Sequence, residues 1–177
     1  MSNTEKTSSK SDTPVFVGID PGLGITGYGV LELVNGTVKV KEAGCIRTKQ
    51  KLPLENRLEE IYSGLNEVFK EFKPEFVVIE DLYSHYRHPK TAIIMGHARG
   101  AIFLSAASSK IPVVSYGATM IKKSLTGNGR ASKSQMQQMI KSRLGLKKLP
   151  EPPDVADALA AALCHINHIK EQGNDNI

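Results

Sequence analysis

The stretch Val15-Phe16-Val17-Gly18-Ile19-Asp20 is a short apolar run that ends in an acid. Its length and unbroken apolar character read as a strand buried on both faces. Pro21-Gly22-Leu23-Gly24 is turn chemistry. Ile25 to Leu33 then alternates and reads as a second strand. Asn35-Gly36 is a dipeptide that tolerates the positive φ angles of a two-residue hairpin. Thr37 to Thr48 is therefore predicted as a third strand, so three antiparallel strands open the fold.

Beyond the hairpin, apolar residues fall at 54, 58, 61, 65, 68, 69 and 72, the spacing of an amphipathic helix that Pro74 ends. Phe76-Val77-Val78-Ile79-Glu80 is a second apolar run closing on an acid. Because it follows a helix, it is expected to lie parallel to the first strand. Leu82 to Pro89 reads as a loop, Lys90 to Ser108 as a helix rich in small residues, and Ile111 to Ser115 as a strand. After a flexible loop at Thr126 to Gly129, Ser132 caps a helix reaching Leu144. Pro152-Pro153 opens a last helix, from Asp154 to about Ile169. The order predicts an α/β fold, a mixed sheet with helices on both faces. One domain is expected over 14–170, between a disordered tail over 1–13 and a polar tail over 171–177.

The 177 residues are 40% hydrophobic and 23% charged, ordinary for a globular chain and unlike a collagen or a disulfide scaffold. No apolar run of about 18 residues suggests a membrane span. The opening MSNTEKTSSKSDTP has no apolar stretch, and a secretory signal is not expected there. Cys45 and Cys164 form no CxxC pair and fit free thiols in a reducing cytosol, so a cytoplasmic location is expected. The net charge of +5 matters less than its distribution. From Leu82 to Pro150 there is no Asp or Glu, while the same 69 residues hold 12 Lys and Arg; all 18 acids lie elsewhere. Lys122, Lys123, Arg130 and Lys133 belong to this segment. An acid-free basic segment suits a polyanion, because cations facing phosphates release condensed counterions. A solvated basic face on an ordinary enzyme is the plainer alternative.

Asp20 and Glu80 each end an apolar strand. If these strands are parallel neighbours, the two carboxylates meet at the carboxyl edge of the sheet, where open α/β folds place ligands. Asp154 and Asp157, three residues apart, share a helix face. Acids in a first helical turn also complement the macrodipole, and Asp20 alone could cap a turn. Together, four oxygen donors suit two Mg²⁺ ions of the kind that assist phosphodiester cleavage. His85-x-x-His88 and Cys164-His165-x-x-His168 have metal-like spacing, but zinc needs three or four converging ligands. Gly22, Gly24, Gly27 and Gly29 resemble a phosphate loop without its GxxxxGK[ST] pattern, and read instead as a tight turn and hairpin.

Gly18-Ile19-Asp20-Pro21-Gly22-Leu23-Gly24-Ile25-Thr26-Gly27-Tyr28-Gly29-Val30, Gly44 to Thr48, Val78-Ile79-Glu80, Gly96-His97-Ala98-Arg99-Gly100, Lys133-Ser134-Gln135 and Asp154 to Ala160 follow one another in this order. Together they resemble the RuvC Holliday-junction resolvases. The resemblance runs from about Phe16 to His168. It implies an RNase H-like fold, a homodimer, and a Mg²⁺-dependent endonuclease that places paired symmetric nicks across a four-way DNA junction. Mn²⁺ is expected to substitute for Mg²⁺. The family's four catalytic, metal-binding acids fall on Asp20, Glu80, Asp154 and Asp157; some members carry His at the position of Asp154. An aromatic residue implied to stack on an unpaired base falls on Tyr83, where Phe is common. The functional lysines fall on Lys122 and Lys133; Arg130 lacks a basic counterpart in some members. A junction-migrating helicase complex is the implied partner. Two rival readings remain open: an RNase H-like nuclease with another substrate, and a catalytically silent junction-binding scaffold.

Overall fold

The computed structural model describes residues 13–81 and 89–174. Among these residues five strands and five helices follow in the order β1 (Val15–Asp20), β2 (Ile25–Val34), β3 (Thr37–Arg47), α1 (Leu54–Phe72), β4 (Phe76–Glu80), α2 (Pro89–Ser108), β5 (Val113–Tyr116), α3 (Ala118–Thr126), α4 (Lys133–Arg143) and α5 (Pro153–Asn174). The sheet order is β3-β2-β1-β4-β5. β1 pairs antiparallel with β2 and parallel with β4, and β4 is parallel to β5. The mixed sheet expected from the sequence is therefore present, with Asn35 (φ 49°) and Gly36 (φ 78°) in the left-handed conformation that closes the β2–β3 hairpin.

Two cores cover the two faces. Val17, Ile19, Val77 and Ile79 pack with Ile61, Leu65 and Phe69 of α1 and with Ala98 and Ile102 of α2. The alternate residues Phe16, Leu31 and Val78 pack with α3, α4 and α5. This period of two has a functional consequence. Asp20 and Glu80, in step with Gly18 and Val78, belong to the face covered by α5.

The backbone of helix α5 lies directly against the strands at Gly18 and Gly27. Ala158, Ala160, Ala161 and Ala162 are buried on it. A Cβ at Gly18 would collide with the carbonyl oxygen of Ala158, and one at Gly27 with the carbonyl oxygen of Asp154. Gly27, read from the sequence as part of a turn and hairpin, lies inside β2 and forms part of the bed on which the helix rests. Small residues on both sides of this contact let α5 carry its acids down to the sheet.

Three further differences from the sequence reading stand out. Helix α3 is present where no element was predicted; its cap residue Gly117 offers no side-chain hydrogen bond, and only Ile121 and Leu125 are buried. Helix α5 continues past Ile169 to Asn174, into the span read as a polar tail. Strand β5 begins at Val113 and reaches Tyr116. Helix α4 keeps its expected cap: the Gln135 N–H donates to Ser132 Oγ and the Ser132 N–H donates to Gln135 Oε1, a reciprocal capping box. Cys45 and Cys164 are free thiols. Among the described residues no helix is long and apolar enough to cross a membrane.

Candidate active site

Parallel pairing of β1 and β4 sets Ile19 opposite Ile79, so Asp20 and Glu80 follow side by side at the carboxyl edge of the sheet. Helix α5 brings Asp157 above them. Helix α3 contributes Lys122 and α4 contributes Lys133. These five residues line one cleft of about 290 Å³, floored by Ile121, Met136 and Ala160. Asp154 stands one turn before Asp157, its backbone against Gly27, and its charge acts on both Asp20 and Asp157.

The electrostatics are those of crowded, partly dehydrated acids. Burial, followed by the charges of Asp157, Asp154 and Glu80, pushes Asp20 up to about 7, with Lys133 opposing. Burial and Asp157 raise Glu80, against Lys122, Lys133 and Arg99. Burial also raises Asp157, and Lys133 is the main counterweight, its Nζ 3.6 Å from Asp157 Oδ2. Such repulsion is relieved either by a proton held on one of the acids or by a further cation between them. Among the described residues no three His, Cys, Asp or Glu side chains are gathered tightly enough to hold a metal ion as they stand. The donor set nevertheless fits one kind of group: carboxylate oxygens only, mutually repelling, in an open cleft, which suits a hard divalent cation that keeps some of its waters.

Of the other candidates, Lys123 and Arg130 are exposed and stand apart from the residues lining the cleft. Tyr83, His85 and His88 lie outside the described residues. Cys164 and His165 are core residues of α5. His165 Nδ1 shares a 2.7 Å hydrogen bond with Tyr116 Oη, while its buried Nε2 has no hydrogen-bond partner among the described residues and the ring packs edge-on against Phe16 and Phe76. Sequence reading quoted Arg99 of α2 within the Gly96–Gly100 motif but gave it no role; its guanidinium donates to the backbone carbonyl of Glu80 beside the site. The available signal was a charged residue in the middle of an otherwise apolar, small-residue helix.

Comparison with known proteins gives a consistent answer. The family model described as crossover junction endodeoxyribonuclease RuvC matches residues 16–165. The crossover junction endodeoxyribonuclease RuvC of Rhodopirellula baltica is 48% identical over 158 residues, covering 89% of each chain. That of Desulforamulus reducens is 44% identical over 85% of this chain and 92% of its own. Among solved structures, Thermus thermophilus RuvC in complex with Holliday junction substrate superposes with a TM-score of 0.84 at 33% identity, over 90% of this chain and 96% of that one. The fold and these matches together define an endonuclease of the RNase H-like class. More narrowly, the chain belongs to the RuvC family of crossover junction endodeoxyribonucleases.

Proposed function

We propose that this protein resolves four-way DNA junctions by paired, symmetric nicks, and that Asp20, Glu80, Asp154 and Asp157 form its reactive centre. The observation that carries this reading is the meeting of three of these carboxylates with Lys122 and Lys133 in one cleft at the carboxyl edge of the sheet. The four carboxylates would hold Mg²⁺, two ions per centre, with Mn²⁺ as a substitute. Such ions, when bound, acidify a water molecule and stabilise a leaving 3′ oxygen. Asp20 and Glu80 project from rigid strand ends and Asp157 from a helix bedded on glycines, so their oxygens are held in place before substrate arrives. Lys122 and Lys133 supply cationic contacts to the phosphate backbone and draw it toward the acidic centre. Tyr83 is assigned base stacking on the strength of its sequence position. Lys123 and Arg130, exposed beyond the cleft, extend the basic surface along a duplex arm.

Paired nicks need two centres, and helix α2 supports a second copy of the chain as partner. Ala98, Ile102 and Ala106 bury its inner face, while Ile93 and Leu104 stay 60% and 61% exposed and Ile94 and Phe103 are also open. A helix apolar on both sides is suited to a partner on the outer one. No surface is assigned to a helicase partner. The function is tested with an end-labelled four-way junction in Mg²⁺, beside a linear duplex and an RNA–DNA hybrid. Paired, ligatable nicks confined to the junction are expected. Preferential cutting of the hybrid or the duplex would overturn the substrate assignment.

A further inference from the structure

The Gly96-His97-Ala98-Arg99-Gly100 motif lies on α2, across the sheet from the cleft, yet Arg99 touches the active-site strand. We infer that Arg99 is a positioning residue for Glu80: its guanidinium clamps the last peptide of β4 and so fixes where the Glu80 carboxylate stands. This rests on the reading of Glu80 as a metal-binding carboxylate.

The argument is one of hydrogen-bond accounting. The Asp81 N–H donates to the Tyr116 carbonyl of β5, at 2.8 Å. In a trans peptide the Glu80 carbonyl then points the other way, toward β1. There β1 has ended at Asp20, and the next residue, Pro21, has no N–H to offer. Arg99 Nη1 supplies the donor that the ladder lacks. Its Nη2 lies 3.6 Å from Asp81 Oδ1, and the guanidinium rests 5.3 Å from the Phe103 ring centroid. The Arg99 side chain is 12% exposed, whereas Asp81 is 57% exposed, so the ion pair is the weaker of these contacts. The carbonyl bond and the ring hold the fork in place. Both ends of the Glu80–Asp81 peptide are thus fixed, one by β5 and the other by α2. The positive charge of Arg99 also favours ionised Glu80.

Groups that orient metal-binding side chains typically change metal affinity 10- to 100-fold when lost. The test is Mn²⁺ binding to the full chain without DNA, by electron paramagnetic resonance or calorimetry, at a temperature where every variant is folded. Arg99→Gln is expected to weaken Mn²⁺ binding on the order of tenfold or more, with Arg99→Lys, which keeps the charge and one donor, falling between. Arg143→Gln is the control. It breaks a comparable bond, from Arg143 Nη2 to the Leu125 carbonyl at 3.3 Å, with neither partner lining the cleft. It should lower thermal stability and leave Mn²⁺ affinity alone. An Arg99→Gln affinity within about twofold of wild type would overturn the inference and leave Arg99 a merely structural clamp. If Arg99→Gln does not fold, Phe103→Leu removes the bracing ring and must weaken Mn²⁺ in the same direction; unchanged affinity there also overturns it. Failure of the wild type itself to bind Mn²⁺ would sink the carboxylate reading first, and the role of Arg99 with it.

Discussion

Replacing Asp20 by Asn should stabilise the metal-free protein, and the size of the effect follows from the site. Burial and three neighbouring acids move this carboxyl from 3.8 to about 7. An acid raised on folding binds its proton more tightly in the folded state, so stability is greatest at low pH and falls as pH rises. The penalty is small near pH 4, grows through the interval up to about 7, and is complete above it. At pH 8 it has a ceiling of roughly 4 kcal/mol. Asn carries no charge and relieves Asp157 and Glu80 as well. Allowing for relaxation of the open cleft, we expect a gain of about 2 kcal/mol at pH 8. In a chain of this size that raises the melting temperature by about 4–8 °C. The assay is thermal denaturation in EDTA at pH 8 and near pH 4, where the gain should shrink below about 1 kcal/mol. A variant that melts at or below wild type at pH 8 would refute the picture of repelling carboxylates.

Three other outcomes follow from the same structure. Lys122→Ala and Lys133→Ala should each flatten the salt dependence of junction binding by about one unit of slope, measured by fluorescence anisotropy across a salt series. Gly18→Ala should destabilise the fold by about 1–3 kcal/mol, because the new methyl meets the Ala158 carbonyl and lifts α5 from the sheet; urea denaturation reads the change. Tyr83→Ala should lose about 1–3 kcal/mol of base stacking, seen as slower junction cleavage with unchanged cleft stability.

Much of this site was legible in the sequence, for definite reasons. Val15–Asp20 and Phe76–Glu80 are apolar runs that end in acids, so burial of the runs places the acids at strand ends. Helical spacing of Asp154 and Asp157 puts them on one face. What could not be read depended on contacts between distant segments. Gly27 looks like turn chemistry in sequence, but its role is to admit the Asp154 backbone, and only the packing of α5 reveals that. Helix α3 is short, lacks a side-chain N-cap and buries just Ile121 and Leu125, so periodicity does not announce it, and the Gly127 that caps its C-terminus reads in sequence as part of a loop. Arg99 is assigned a partner only once β1 is seen to end beside the Glu80 carbonyl.

The most direct test of the central claim is cleavage of a labelled four-way junction in Mg²⁺ by wild type and by Asp20→Asn, Glu80→Gln, Asp154→Asn and Asp157→Asn, with binding measured in parallel in EDTA. The account predicts that nicking is lost in the amide variants while binding is kept or strengthened, since each loses a negative charge beside DNA. Wild-type nicking rates in any of the four would contradict the assignment of that carboxylate, and in all four would contradict the account.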